Sequence, residues 1–289
     1  MNKTTIFYKS KTILIEKLEK QPNIQVLKEK GFFFKFFSEK KFPDVYFHTG
    51  ILDDESKDYI LNSKITITNS FASMNEIIAR TKISHEKIKV IYPSINVQYK
   101  DIKETKIKIC EELKIDLESK IILFTAKNIK SSGVKEFLDI CSSLSYQNFK
   151  IIIAASKKQM YSLKFQLPKY DKLQEKLILL EDYSNLDDLF LISDIFVLPT
   201  YNKSFSSNIL KAMFCENVVF VTIQNDVKEV VDVFASMDNP TDPTTAFKID
   251  AILLDSDEMA RIKKQNRELA LEFTLEENLS KINHIIGNV

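Results

Sequence analysis

Glycine is scarce in this chain, with four in 289 residues. A GxGxxG dinucleotide fingerprint and a phosphate-binding P-loop each need several glycines in one loop, so both are excluded. Cys110, Cys141 and Cys215 are odd in number and widely spaced, with no CxxC or Cys/His ligand spacing. That pattern holds neither a zinc cluster nor a disulfide framework. Tryptophan is absent. Acids and bases nearly cancel, 40 against 41, so no bulk field points to nucleic acid. Lys-, Ile- and Asn-rich usage is also what a biased nucleotide composition produces, and a lysine cluster by itself names no partner. No apolar run approaches the ~20 residues of a membrane span, and no apolar h-region opens the chain. The expectation is a reduced, cytoplasmic protein without a transmembrane segment. The run from Gly31 to Phe37 (GFFFKFF) has two readings, membrane-surface contact or core; its lysine favours core.

What is present is an alternation. Apolar runs that read as strands lie at Thr5–Tyr8, Ile24–Val26, Val45–His48, Ile65–Asn69 and Lys89–Tyr92, then at Lys120–Thr125, Phe149–Ala154, Leu177–Leu180, Ile195–Leu198 and Val218–Thr222. Helical patterns separate them at Ser73–Thr81, Val134–Leu144, Met160–Leu167, Leu186–Ile192 and Asn208–Phe214. Such alternation predicts an α/β fold with mostly parallel sheets. The charged, weakly patterned segment Asn96–Lys106 reads as an interdomain connection. From about Pro243 the chain is helical, and Thr274-Leu-Glu-Glu277 reads as a capping box.

One stretch stands out, Ser193 to Thr222: a strand, a turn after Pro199, a helix from about Ser206 and a second strand. In a parallel sheet the point beyond a strand's carboxyl end is where ligands bind. A helix N-terminus there suits phosphate. Within the stretch, Pro199-Thr200, Ser204-Phe205-Ser206 and Ala212-Met213-Phe214-Cys215 resemble the donor-site signature of the GT-B glycosyltransferases, in the large retaining family that includes sucrose and mannosyl transferases. The phrase Lys89-Val-Ile-Tyr-Pro-Ser-Ile-Asn-Val97 is similar to that family's interdomain phrase, and Glu268-Leu-Ala-Leu-Glu-Phe273 to its closing helices. The resemblance runs from about Pro43 to the end and is best from Lys120 to Asp232.

The resemblance implies two Rossmann-like domains facing across a cleft, with the first reduced. Their expected bounds are 1–97 for the acceptor side and 98–270 for the nucleotide-sugar side, with 271–289 a helix returning to the first domain. It implies a nucleotide-diphosphate sugar as co-substrate, no cofactor and no metal. Lys127 falls on the family's clamp arginine and Gly133 on its glycine. Ser132 falls on the clamp lysine, for which Lys130 is a nearby substitute. Backbone groups of Ser204, Phe205 and Ser206 would meet the diphosphate. Lys203, Lys211, Asn208, Tyr183 and Ser184 would meet nucleoside or sugar, although Ser184 also reads as an N-cap. His48 falls near a first-domain histidine that faces the donor sugar; a structural strand-end histidine is the alternative.

The departures are concentrated in the same places. Both family glutamates are lysines, Lys203 and Lys211, and a lysine ammonium only donates. The glycines are replaced by Glu216, Asn225-Asp226 and Ala154-Ala155-Ser156. Two functional readings follow. One is a glycosyltransferase acting on an unknown glycan, lipid or protein acceptor, cytoplasmic and peripheral to the inner membrane face. The other is an inactive homologue that binds or stabilises another glycosyltransferase.

Overall fold

The computed structural model describes residues 3–27 and 41–288; the aromatic run Gly31–Phe37 lies outside them. In chain order the first elements are β1 (Thr4–Tyr8), α1 (Ile13–Leu18), β2 (Ile24–Val26), β3 (Val45–Phe47), α2 (Asp54–Asn62), β4 (Ile65–Thr68), α3 (Phe71–Thr81) and β5 (Ile88–Val90). There follow α4 (Ile102–Leu113), β6 (Lys120–Thr125), α5 (Val134–Ser142), β7 (Phe149–Ala155), α6 (Lys157–Lys164), β8 (Leu177–Glu181) and α7 (Leu186–Ile192). The last are β9 (Ile195–Leu198), α8 (Ser207–Phe214), β10 (Val218–Thr222), β11 (Ser236–Met237), α9 (Thr244–Leu254), α10 (Ser256–Ala270) and α11 (Leu275–Gly287). They form two units, one of Met1–Asn96 with Glu272–Val289, the other of Val97–Leu271.

The first unit is a five-stranded parallel sheet in the order β2-β1-β3-β4-β5. Period-two alternation sends neighbouring side chains to opposite faces. Ile6, Val45 and Phe47 pack with α1, whereas Phe7 and Tyr46 pack with Tyr59 of α2 and Met74 of α3. The first face is completed by the chain's other end, since Leu275, Ile282 and Ile286 of α11 join Leu14, Ile15 and Leu18 in one core. Burying each such side chain contributes about 2 kcal/mol. The chain reaches α11 through a parallel bridge, with Ile95 N–H donating to Phe273 O (2.8 Å) and Leu275 N–H to Ile95 O (3.0 Å). Asn278 Nδ2 then donates to Tyr92 O and Ser94 Oγ, both at 3.0 Å. Thr274 caps α11 by accepting from Glu277 N–H.

The second unit is a six-stranded parallel sheet, β11-β10-β9-β6-β7-β8. Its central strands are apolar on both faces, as a sheet covered on both sides requires; Ile121–Phe124 and Ile151–Ala154 are fully buried. Helices pack in pairs, α8 on α10, α4 on α7 and α5 on α9. Arg267 of α10 lies between the rings of Tyr99 and Phe214, its guanidinium carbon 3.8 Å from each centroid, and donates to Phe214 O.

Two local expectations change. The charged segment Asn96–Lys106 is not all connection: Asp101 caps α4 by accepting from Glu104 N–H, and Thr105, Ile109 and Cys110 form its buried face. Its charges are the solvent side of an amphipathic helix. The helix expected at Met160–Leu167 starts earlier, at Lys157, and stops at Lys164, with Pro168 in the tight turn that follows. All three cysteines are buried thiols, and burial pushes Cys215 up to about 12.

One buried charge ties the second unit together. Asp194, 5% exposed, precedes β9. Its carboxylate accepts from Ile121 N–H (2.9 Å) and from Lys263 Nζ of α10 (2.6 Å), while its backbone pairs with β6 and β10. Burial alone would raise its pKa, but the Lys263 charge and these bonds outweigh that and hold it below 3.8. A depressed folded pKa stabilises above the unfolded value and is lost as pH falls through the folded one. Asp194→Asn is therefore expected to lose about 2 kcal/mol at neutral pH. Its urea-unfolding stability should also decline less steeply below about pH 4 than that of the parent; equal acid limbs in the two proteins would refute the assignment.

Candidate functional site

Strand order in the second sheet runs outward from β6 through β7 to β8, then returns to the other side of β6 with β9 and continues outward through β10. The order reverses between the carboxyl ends of β6 and β9. In open α/β sheets that switch point is the ligand crevice, because the two departing loops diverge there. The loops are residues 126–133, leading to α5, and 199–206, leading to α8.

The loops are stitched to each other. Gly133 adopts φ +80°, and a Cβ built there would stand 1.9 Å from Pro199 O. Tyr201 N–H donates to Ser131 O (3.1 Å), and the Tyr201 hydroxyl donates to Glu136 Oε1 (2.9 Å). Asn208 Nδ2, from the first turn of α8, reaches Thr125 O at the end of β6 (3.0 Å). Two further side chains shape the loops. Gln159 of α6 accepts from Ile129 N–H (2.7 Å) and donates to Lys127 O (2.8 Å). Asn225, 1% exposed, donates to Asn202 O (2.9 Å) and Ser204 O (2.8 Å) and accepts from the N–H groups of Ser206 and Val227, both at 3.1 Å.

On this frame Lys127, Lys130 and Lys203 are exposed, and among the described residues none has a carboxylate partner. Ser204 is exposed, whereas the Phe205 ring is buried, leaving only its backbone for a ligand. The Ser206 N–H is engaged by Asn225, and the Ser206 hydroxyl caps nothing. The N–H groups of Ser207 and Asn208 have no acceptor among the described residues. They are the donors that α8 presents at its positive end.

Lys211 behaves differently. Its Nζ pairs with Asp187 Oδ1 of α7 at 2.8 Å. Asp187 also lines a cleft of about 250 Å³ after β8, together with Gln98, Lys100, Ser184, Asn185 and Asp188. Lys100 Nζ pairs there with Asp188 Oδ1 (2.6 Å). Ser184 is exposed and Asn185, not Ser184, holds the N-cap position of α7. Tyr183 beside it is half-buried, and burial followed by the charges of Glu112 and Asp188 raises its pKa.

His48 belongs to the first unit, at that sheet's own reversal between β1 and β3. It is 2% exposed, with Nδ1 3.5 Å from the Tyr46 hydroxyl. Burial first, then the nearby Lys9 charge, lowers its pKa, so the ring is neutral near pH 7. Lys9 is itself held by Asp53 (2.9 Å) and Glu55 (3.1 Å).

Residues 105–269, more than half of the sequence, match the profile of the family described as glycosyl transferases group 1. The chain belongs to that family. Its fold agrees: an Anabaena HepE crystal structure in complex with UDP-glucose aligns at TM-score 0.70 and 16% identity, over 85% of this chain and 72% of that one. A Rickettsia africae glycosyltransferase aligns at TM-score 0.72 and 18% identity, over 95% and 79%. WaaG, a glycosyltransferase involved in lipopolysaccharide biosynthesis, aligns at 0.69 and 11%, over 98% and 99%. No curated protein sequence matches the chain. Two parallel Rossmann-like units are the GT-B class of α/β fold. In family terms, Glu216 stands where a glycine is usual and still adopts φ +61°, with its carboxylate accepting from the Tyr99 hydroxyl (2.7 Å).

The second unit thus gathers Lys127, Lys130, Gly133, Lys203, Ser204, Phe205 and Ser206 onto the two loops at one crevice, with Asn208 in the first turn of α8 beside them. Lys211, Tyr183 and Ser184 sit by the neighbouring cleft. Gln159 and Asp187 carried no signal in the sequence, because each acts on a partner that only the fold brings near. A methyl at residue 133 would have to displace backbone, so Gly133→Ala is expected to cost about 3 kcal/mol, read as a lower calorimetric unfolding midpoint. A variant that melts with the parent would contradict the contact. Asn225→Ala leaves Asn202 and Ser204 carbonyls without donors; it should raise amide exchange in residues 202–206 by about tenfold or more, while β7 and β8 keep parental protection.

Proposed function

We propose that the chain is a glycosyltransferase that takes a sugar from a nucleotide-diphosphate sugar, with the crevice between β6 and β9 holding the diphosphate. The observation that carries this reading is the set of three uncompensated lysines, Lys127, Lys130 and Lys203, on the loops that also present the free N–H groups of Ser207 and Asn208. A departing nucleoside diphosphate gains negative charge as its bond to the anomeric carbon breaks. Fixed cations and backbone donors aimed at that charge lower the barrier without reorganising. Lys127 and Lys130 act as point charges on the phosphate oxygens, and Gly133 sets the loop that carries them. The cleft beside Tyr183, Ser184 and Asp187 takes the nucleoside. There Lys211 is a brace that fixes the Asp187 carboxylate rather than a direct phosphate ligand. Retention of anomeric configuration is the outcome family membership favours, and UDP-glucose bound to HepE makes UDP-sugars the first donors to test.

A second reading, a non-catalytic partner of another glycosyltransferase, is favoured by the Lys211–Asp187 pair. With both family glutamates replaced and Lys211 neutralised, the crevice can hold an anion without completing a transfer. Calorimetric titration with UDP-, GDP- and ADP-sugars separates these from no donor function at all. Binding of one donor class is expected, weakened about 10- to 100-fold in Lys127→Ala through loss of a charge-assisted hydrogen bond. Binding without release of nucleoside diphosphate in the presence of candidate acceptors would select the partner reading. No binding to any donor would overturn the transferase reading and leave the partner reading standing.

A further inference from the structure

The outward face of α6 carries chemistry that sugar transfer leaves unused. Met160 and Leu163 are buried under it, whereas Tyr161 and Phe165 are 66% and 68% exposed and meet edge to face, centroids 4.9 Å apart. Two adjoining aromatic rings in water are costly unless something covers them. At 100° per residue, Lys164, Lys157, Tyr161, Phe165 and Lys158 fall in that angular order within an arc of about 120°. The rings occupy the centre of the strip and lysines its margins. Lys164 is paired with Glu181 (2.6 Å), and the Asp182 carboxylate accepts from the Lys157 N–H (3.3 Å). Among the described residues the ammonium groups of Lys157, Lys158, Lys169 and Lys172 form no ion pair, although the Lys164 hydrogen bond and then the Lys157 charge help to hold the Glu181 carboxyl below its usual range. Beside the rings, Lys157, Lys158 and Lys164 outnumber the two adjacent acids, Glu181 and Asp182, by one, and Lys169 follows in the next turn. Biased codon usage scatters lysines; it does not place them on both sides of an exposed aromatic pair.

We propose that this face of α6 is a docking surface for an anionic phospholipid bilayer. Aromatic rings settle at the boundary between headgroups and acyl chains, and flanking lysines reach the lipid phosphates on flexible stems. The charge pattern requires an anionic surface, and the edge-to-face ring pair offers no open platform for stacked bases. A single short helix gives weak, reversible, salt-sensitive attachment. Gln159, which holds the Lys127 loop, lies on a different side of the helix, so docking leaves the donor crevice intact. The inference does not depend on sugar transfer.

The test is co-sedimentation of the full chain with phosphatidylcholine vesicles and with vesicles in which part of the lipid is phosphatidylglycerol. The protein is expected to pellet with the anionic vesicles alone, and to be released by high salt. Tyr161→Ser with Phe165→Ser, and separately Lys157→Glu with Lys158→Glu, should each lower the bound fraction about tenfold while the circular dichroism spectrum and unfolding midpoint stay parental. Equal pelleting with neutral vesicles, or anionic binding that survives both double variants, overturns the proposal. So does tight binding to polyglutamate without vesicle binding, which would assign the face to an acidic protein.

Discussion

The Pro199 carbonyl oxygen occupies the place where a side chain on residue 133 would begin, so the loops leaving β6 and β9 close on each other only because that residue is glycine. Tyr201 and Asn208 add their hydrogen bonds across the same junction, and the α8 N-terminus is thereby held beside the loop that carries Lys127 and Lys130. A chain with four glycines has kept one where backbone meets backbone. At two other sites where the family has glycine it manages without. Glu216 accepts a left-handed conformation at a cost of about 1 kcal/mol, and Asn225 holds with four hydrogen bonds the neighbouring loop where the family's glycine pair is missing.

The electrostatics of the second unit follow from what each lysine can reach. Lys263 is satisfied by a buried carboxylate and serves stability; Lys211 and Lys100 are satisfied by acids in the first turn of α7. Lys127, Lys130 and Lys203 are left over. Charge reversal at positions 203 and 211 therefore has two different consequences. At 211 the new cation is absorbed by a neighbouring helix, whereas at 203 it adds to the positive field of the crevice. The same replacement read twice in a sequence is not the same event in space.

Ten of the strands were legible as apolar runs, each within about two residues of its observed bounds, because a strand covered on both faces cannot hide its composition. The two-residue β11 was not, being too short to leave a pattern. The crevice loops were legible from the strand–turn–helix order around Pro199 and Phe124. The hydrogen-bond hubs were not: Gln159 lies about 30 residues from the loop it holds, and Asp187 belongs to a helix start where an acid is ordinary. The beginning of α4 was hidden by its own charges, since the buried face at Thr105, Ile109 and Cys110 is narrow.

The first sheet needs α11 for one of its two apolar faces, and α11 is the last element of the chain. Between the two stretches that must meet lie all of Val97–Leu271. On the ribosome, then, β1 emerges well before the helix that completes its apolar face. Until residues 275–286 leave the exit tunnel, Ile6, Leu14 and Leu18 lack their cover. The nested unit has every strand of its sheet before that moment and can complete its own core, so its folding brings the two ends of the other unit's chain within reach.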